Sequence, residues 1–304
     1  MGLKQYDVLV IGGGAAGATA ALYLGRYART VAVVGKDLGA TCNAGEIENW
    51  PGTKTIGGME LINNFQDHSK EYGAEYVFAQ IENIIKTEYG FVVEANGTKI
   101  EAKTVIFANG TLHKKLEIPG EAKLVGKGVS YCATCDGMFF KDKEVVVIGG
   151  ADAAAKATLY LADVAKKVTL IYRRGKLRCE PIYYKRIDKK NNIEIIYNAT
   201  PEEIIGEEKV KQIKIKVEGE EKIINTDGIF VEIGALPCVK LSTSLGMNCS
   251  GKGYIEVNSK METSIPGVFA AGDITNTPLK QIVTAAGNGA IAAYSAHEYL
   301  QKLE

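Results

Sequence analysis

Twice in this chain an apolar strand runs into a glycine turn, a small-residue helix and a second apolar strand, and this repeat restricts the possible folds more than any other feature. Residues 7–34 read Asp-Val-Leu-Val-Ile, Gly12-Gly13-Gly14-Ala15-Ala16-Gly17, an alanine-rich helix, then Thr30-Val-Ala-Val-Val34. Residues 144–171 read Glu-Val-Val-Val-Ile, Gly149-Gly150-Ala151-Asp152-Ala153-Ala154, a helix through Leu161, then Lys167-Val-Thr-Leu-Ile171. Gly149 follows Gly12 by 137 positions, and 304 residues suffice for two domains of about 100–200 residues each. The 34 glycines, about 11% against roughly 7% in an average chain, therefore read as residues of particular turns.

Between the two units, Phe91–Glu94 and Lys99–Phe107 have strand composition and meet at Asn96-Gly97, a hairpin turn. Residues 193–233 alternate apolar and charged positions, as in Val210-Lys-Gln-Ile-Lys-Ile-Lys-Val217, which predicts half-exposed antiparallel strands. The last segment reads as a strand at Gly267–Ala271, a turn at Gly272-Asp273 and a small-residue helix from near Gln281. Its composition matches the first unit. The expected architecture is α/β, with two Rossmann-like, doubly wound, three-layer nucleotide-binding domains, the second inserted into the first. The expected divisions are 1–112 with 241–304, and 113–240.

Lys plus Arg and Asp plus Glu number 36 each, so net charge gives no bias toward nucleic acid or an anionic membrane. No stretch approaches 18 apolar residues and the N-terminus lacks a signal-peptide pattern, so a cytoplasmic protein without a membrane span is expected. Lys166–Lys190 holds ten basic and two acidic residues, which reads either as a solvated helix face or as a site for an anion or acidic partner. Of six cysteines, Cys42, Cys179, Cys238 and Cys249 are scattered, and small buried packing is the default reading for each. Cys132 and Cys135 form a C-x-x-C, which in a reducing compartment is catalytic or metal-binding more often than structural.

Gly12, Gly14 and Gly17 complete a G-x-G-x-x-G directly after a strand. The first glycine permits the tight turn, the second close approach of a pyrophosphate and the third close helix packing, with Ala15 and Ala16 in the first helical turn. The acidic ribose ligand expected about 20 residues on is absent, since Gly35 follows Val34. In the second unit Ala151 replaces the middle glycine, which reads as a unit kept for packing alone. Against that, Arg173, Arg174 and Arg178 follow the next strand, where arginines accommodate the 2′-phosphate of NADP. A C-x-x-C can close as a disulfide and, once reduced, attack a partner disulfide, with Asp136 beside it for proton transfer. Zinc is the rival use, but no second C-x-x-C follows and the only histidines are His68, His113 and His297, so no metal is expected. Asp273 is a turn residue or an acceptor for a cofactor hydroxyl, and Trp50 is either core or the wall of a cofactor site.

Together these segments resemble the low-molecular-weight thioredoxin reductase family. The resemblance rests on Gly12–Gly17, Glu48-Asn-Trp-Pro-Gly52, Cys132-Ala-Thr-Cys-Asp-Gly137, Ala271-Gly-Asp273 and Gln281-Ile-Val-Thr-Ala-Ala286, which span the chain. It implies FAD as cofactor, with Asn49, Asp273 and Gln281 at positions that hold the flavin or its ribityl chain and Gly272 and Ile282 beside them. It further implies Cys135 as the thiol facing the flavin, Cys132 as the interchange thiol that attacks a thioredoxin disulfide, Asp136 as general acid, and a homodimer. NADPH-dependent members read Gly-Gly-Gly-Asp-Ser-Ala where this chain has Gly149–Ala154, and two glutamates of the following helix are Lys156 and Ala157 here. The His-Arg-Arg triplet is Tyr172-Arg173-Arg174, with Arg178 kept. These departures resemble the ferredoxin-dependent flavin thioredoxin reductases, so reduced ferredoxin is the expected donor, with NADPH as the alternative. A non-turnover redox-sensing flavoprotein is the distant alternative.

Overall fold

In a computed structural model, which describes residues 4–44 and 46–304, the apolar run Val8–Ile11 forms the buried half of β1 (Lys4–Ile11). Helix α1 (Ala15–Arg26) starts after an extended Gly14, and β2 (Val31–Gly35) returns parallel to β1, with Val8 opposite Val31. Helix α2 (Gly58–Glu71) leads to β3 (Glu75–Phe78), parallel to β2. A meander follows, β4 (Ile81–Thr87), β5 (Gly90–Ala95) and β6 (Thr98–Phe107). Its tight turn has Asn96 and Gly97 at φ of 47° and 73°, the two consecutive positive values that match the twist of a hairpin. The long β6 pairs antiparallel with β5 near its start and parallel with β1 from Ile100 to Phe107.

The inserted unit is built from β7 (Val129–Ser130), β8 (Glu144–Gly149), α3 (Asp152–Ala162), β9 (Lys167–Ile171), α4 (Pro181–Ile187) and β10 (Ile193–Ile196). β11 (Ala199–Gly206), β12 (Val210–Val217), β13 (Glu220–Asn225) and β14 (Gly228–Glu232) complete it. Its parallel sheet has the order β7-β14-β8-β9-β10, and β11-β12-β13 form a separate antiparallel sheet. The alternation across 193–233 thus holds for the three middle strands only. Ile193–Ile196 and Gly228–Glu232 instead pair parallel with β9 and β8. The physical reason is visible in β14, where Gly228 to Val231 are all buried, because a parallel strand is covered on both faces and loses the polar alternation.

On its return the chain adds β15 (Val268–Ala270), parallel to β6, and the long helix α5 (Ile282–Gln301). The first sheet therefore runs β3-β2-β1-β6-β5-β4, with β15 also on β6. The chain divides into Met1–Leu112 with Pro237–Glu304, and His113–Leu236. It is an α/β fold with two Rossmann-like units, the second inserted into the first. Among the described residues no helix is long and apolar enough to cross a membrane.

Small residues are needed where α1 meets α5. Ala16, Ala20, Ala292, Ala293 and Ala296 share one buried cluster. A Cβ placed on Gly289 would stand 2.1 Å from the carbonyl oxygen of Ala16, well inside van der Waals contact with rigid backbone. Gly289→Ala should therefore lower the unfolding free energy by about 1–3 kcal/mol through overpacking, despite the better helix propensity of alanine. Urea unfolding of the two proteins tests this, and an unchanged or raised midpoint would show that the helices separate at no cost.

A glycine cradle, a second glycine turn and a redox disulfide

In the first unit the three fingerprint glycines occupy distinct environments. Gly12 has φ of 102°, and a Cβ there would lie 2.5 Å from the oxygen of Ala108. On Gly17 it would lie 1.9 Å from the oxygen of Gly12, so the helix can start this close to the strand only without a side chain. Gly14 meets nothing nearer than the Cα of Gly39 at 3.8 Å, which leaves its backbone open to a ligand. Ala15 and Ala16 are buried in the first turn of α1.

The other expected cofactor residues gather along β15 and the start of α5. Gly272 and Asp273 form a 3-10 turn after β15. Burial raises the Asp273 carboxyl above its ordinary range and the nearby Lys280 partly offsets this, while no side-chain hydrogen bond satisfies it among the described residues. Gln281 caps α5, receiving the Thr284 N–H while its own N–H reaches the Thr284 hydroxyl at 3.2 Å. Its Oε1 also accepts a 2.9 Å bond from Asn49 Nδ2, which ties the Glu48–Gly52 loop to the helix, and Ile282 opens the helix half-buried. Trp50 packs edge-on against Phe65 with centroids 5.1 Å apart.

Sequence reasoning overlooked Asn109. It follows β6 beside Gly12 and donates to the Cys238 carbonyl at 2.8 Å, but its own Oδ1 is buried without a partner, as is Asn288 Oδ1 in α5. An Asn-Gly pair just after a parallel strand was the available signal. Bare backbone at Gly14, an unsatisfied carboxylate and buried amide oxygens lacking donors fit a large polar cofactor with hydroxyl and phosphate groups.

The second unit has a different glycine turn. Gly149 has φ of 152° and, as with Gly12, abuts the backbone of the neighbouring strand, here the Glu232 oxygen at 2.2 Å from an added Cβ. Ala151 serves as N-cap of α3. Tyr172 is buried with its ring over Gly150, where a Cβ would come within 2.3 Å. Arg178 is drawn into the same cluster, donating from Nε to the Tyr172 hydroxyl at 3.0 Å and from its N–H to the Gly150 oxygen at 2.7 Å. Arg173 and Arg174 stay exposed, and neither guanidinium is paired among the described residues. Three of the ten basic residues in this run are neutralised locally: Lys166 pairs with Glu144, Lys167 with Glu194 and Lys190 with Asp163.

Cys132 and Cys135 are joined as a disulfide. Cys132 caps the helical turn Ala133–Asp136, its sulfur accepting the Cys135 N–H at 3.2 Å, and Asp136 ends that turn. Cys135 is exposed and Cys132 half-buried. Cys42, Cys179, Cys238 and Cys249 are unpaired and only partly buried, less enclosed than small core packing predicted. Among the described residues no group of three or more His, Cys, Asp or Glu could hold a metal ion.

Behind the disulfide, the buried Glu121 holds three donors at once. Its carboxylate accepts from the N–H of Leu116 at 2.8 Å, the N–H of Glu117 at 2.7 Å and the hydroxyl of Tyr131 at 2.7 Å. Glu121→Ala should cost about 2–4 kcal/mol by leaving these donors unsatisfied, and Tyr131→Phe only about 1 kcal/mol. Chemical denaturation checks the order, and equal losses would mean that the two backbone bonds contribute nothing.

Residues 6–289 match the pyridine nucleotide-disulphide oxidoreductase family. The chain is 43% identical to a thioredoxin reductase of Bacillus subtilis over 99% of its own length and 96% of the relative's. A solved thioredoxin reductase of Lactococcus lactis superposes with a TM-score of 0.95 at 36% identity, covering 98% of this chain and 99% of that one. The thioredoxin reductase of T. acidophilum gives 0.93 at 42%, covering 99% and 100%. With the cradle, the disulfide and a match along nearly its whole length, the chain belongs to the pyridine nucleotide-disulphide oxidoreductase family, and its cofactor is FAD.

Proposed function

We propose that this protein is a thioredoxin reductase that draws its electrons from NADPH. The observation that carries the first part is the Cys132–Cys135 disulfide, closed across a helical turn with Asp136 at its end. FAD, held by the Gly12–Gly17 turn, Asn49, Asp273, Gln281 and Ile282, supplies when bound the electron pair that opens this disulfide. The backbone N–H that Cys135 aims at the Cys132 sulfur favours negative charge there, so Cys132 acts as the attacking thiolate. Its sulfur bonds to one sulfur of the thioredoxin disulfide, the thioredoxin S–S bond breaks, and the departing thiolate takes a proton from Asp136. The Cys135 thiol then gives its proton to the Asp136 carboxylate and its sulfur attacks Cys132, restoring their disulfide; the second thioredoxin sulfur leaves as a thiolate and takes that proton, so thioredoxin departs as a dithiol. Two electrons thus pass from the enzyme dithiol to the substrate.

The donor reading departs from the ferredoxin expectation. Arg173 and Arg174 offer two unpaired guanidinium groups after β9, suited to a 2′-phosphate. Meanwhile the carboxylates paired with Lys166, Lys167 and Lys190 diminish the basic surface that an acidic ferredoxin would use. The Bacillus subtilis and Lactococcus lactis relatives are named simply thioredoxin reductases and give ferredoxin no specific support. One observation favours ferredoxin as a second reading: Tyr172 lies over Gly150 and engages Arg178, beside the Ala151 that replaces a glycine.

Anaerobic mixing of the oxidised, FAD-loaded protein with micromolar NADPH should bleach the flavin within the turnover time. An unbleached flavin that reduced ferredoxin does reduce would establish the second reading. Cys135→Ser should keep FAD bound yet lose thioredoxin reduction by a factor of about 10³ or more. Retained turnover in that variant would remove Cys135 from the mechanism, and failure of the unaltered protein to reduce any thioredoxin from chemically reduced flavin would favour a redox sensor.

A further inference from the structure

We propose that Glu232 governs entry of a pyridine nucleotide into the second unit: its carboxylate opposes the nucleotide's phosphates when charged and admits them when it holds a proton. This rests on the NADPH reading above. Glu232 ends β14 directly opposite Gly149, the last residue of β8. These are the strands at which the sheet changes direction, with β9 and β10 to one side and β14 and β7 to the other. Ligands of open parallel sheets bind outside the carboxyl ends of the strands at that point. Glu232 is therefore placed where a bound dinucleotide has to pass.

The side on which it lies follows from the strand. Phe230 packs with Ala154, Ala155 and Leu161 of α3, whereas Ile229 and Val231 pack on the opposite side with Ile204 and Ile213. Two positions beyond Phe230, Glu232 shares the α3 face. A Cβ on Gly149 would be 2.2 Å from the backbone carbonyl oxygen of Glu232 and 2.7 Å from the Ala154 Cβ, so the strand end and the first turn of α3 converge there. That first turn is where the phosphates of a dinucleotide seat.

Among the described residues no charged side chain pairs with the carboxylate. From β7 come only Val129 and Ser130, the latter bonded to Cys132. From β8 the single charge is Glu144 at the far end, paired with Lys166. On α3, Asp152 accepts the Glu180 N–H and Lys156 lies over the Tyr183 ring. On β12, Lys211 and Lys216 are exposed and the half-buried Lys214 pairs with Glu221. The Glu232 carboxylate has no hydrogen bond or ion pair among the described residues, and burial alone lifts it to about 7. Because the folded protein holds this proton more tightly than a free glutamate, an anion that needs it retained binds well below pH 7 and loses affinity as pH rises.

NADP⁺ titrated calorimetrically into the FAD-loaded protein between pH 7 and 9, above the range where its own 2′-phosphate titrates, tests this. Affinity should fall by up to about tenfold per pH unit, with one proton taken up on binding, and Glu232→Gln should bind with a pH-independent affinity at least tenfold tighter at pH 9. Tight binding by the unaltered protein at every pH would overturn the role of Glu232 while leaving the NADPH reading intact. Binding by the glutamine variant alone would uphold Glu232 and overturn NADPH as donor. No binding by either protein would overturn both.

Discussion

In both units the turn from first strand to helix is pressed against the carbonyl that ends the neighbouring parallel strand, and the rest of each unit is arranged around that contact. An added Cβ would meet the Ala108 oxygen at 2.5 Å in the first unit and the Glu232 oxygen at 2.2 Å in the second. Only glycine keeps the turn this tight, because positive φ and the close backbone each exclude a side chain. The helix start is thereby held level with the strand ends, with its free N–H groups facing the crevice.

The two turns differ in what surrounds them. Around Gly12 and Gly14 the structure leaves open backbone, buried amide oxygens without donors and an unsatisfied Asp273, all suited to a permanently held cofactor. Around Gly149 the polar groups have largely found partners inside the protein, Arg178 with Tyr172 and Asp152 with the Glu180 N–H. Glu232 is the exception. One unit is prepared to retain a ligand, whereas the other presents a surface on which binding competes with existing contacts and with a half-buried, unpaired carboxylate.

The disulfide depends on very local geometry, while its surroundings do not. Three residues of helical turn bring Cys132 and Cys135 together and turn the Cys135 N–H toward the Cys132 sulfur. What stiffens the segment before it is Glu121, whose carboxylate gathers two backbone N–H groups and the Tyr131 hydroxyl. Nothing in the local sequence marks Glu121 among 36 acidic residues; its importance arises because the chain folds back on it.

Features set by neighbours in sequence are legible in the residues alone: both strand-turn-helix units, the Asn96-Gly97 hairpin, the C-x-x-C and the helix start near Gln281. Each is decided within a few residues by steric limits on φ and ψ and by hydrogen bonds of short reach. Strand partners are less legible. Ile193–Ile196 and Gly228–Glu232 sit in a stretch of alternating residues yet join a parallel sheet, since burial on both faces is a property of what packs over them. The same holds for charge. Ten basic residues between Lys166 and Lys190 read as one patch, until the fold brings Glu144, Glu194 and Asp163 beside three of them. By itself the sequence determined where the turns and reactive sulfurs would be, whereas only tertiary structure decided which polar groups are satisfied. Satisfaction depends on atoms brought together from distant parts of the chain, as the solitary carboxyl of Glu232 shows.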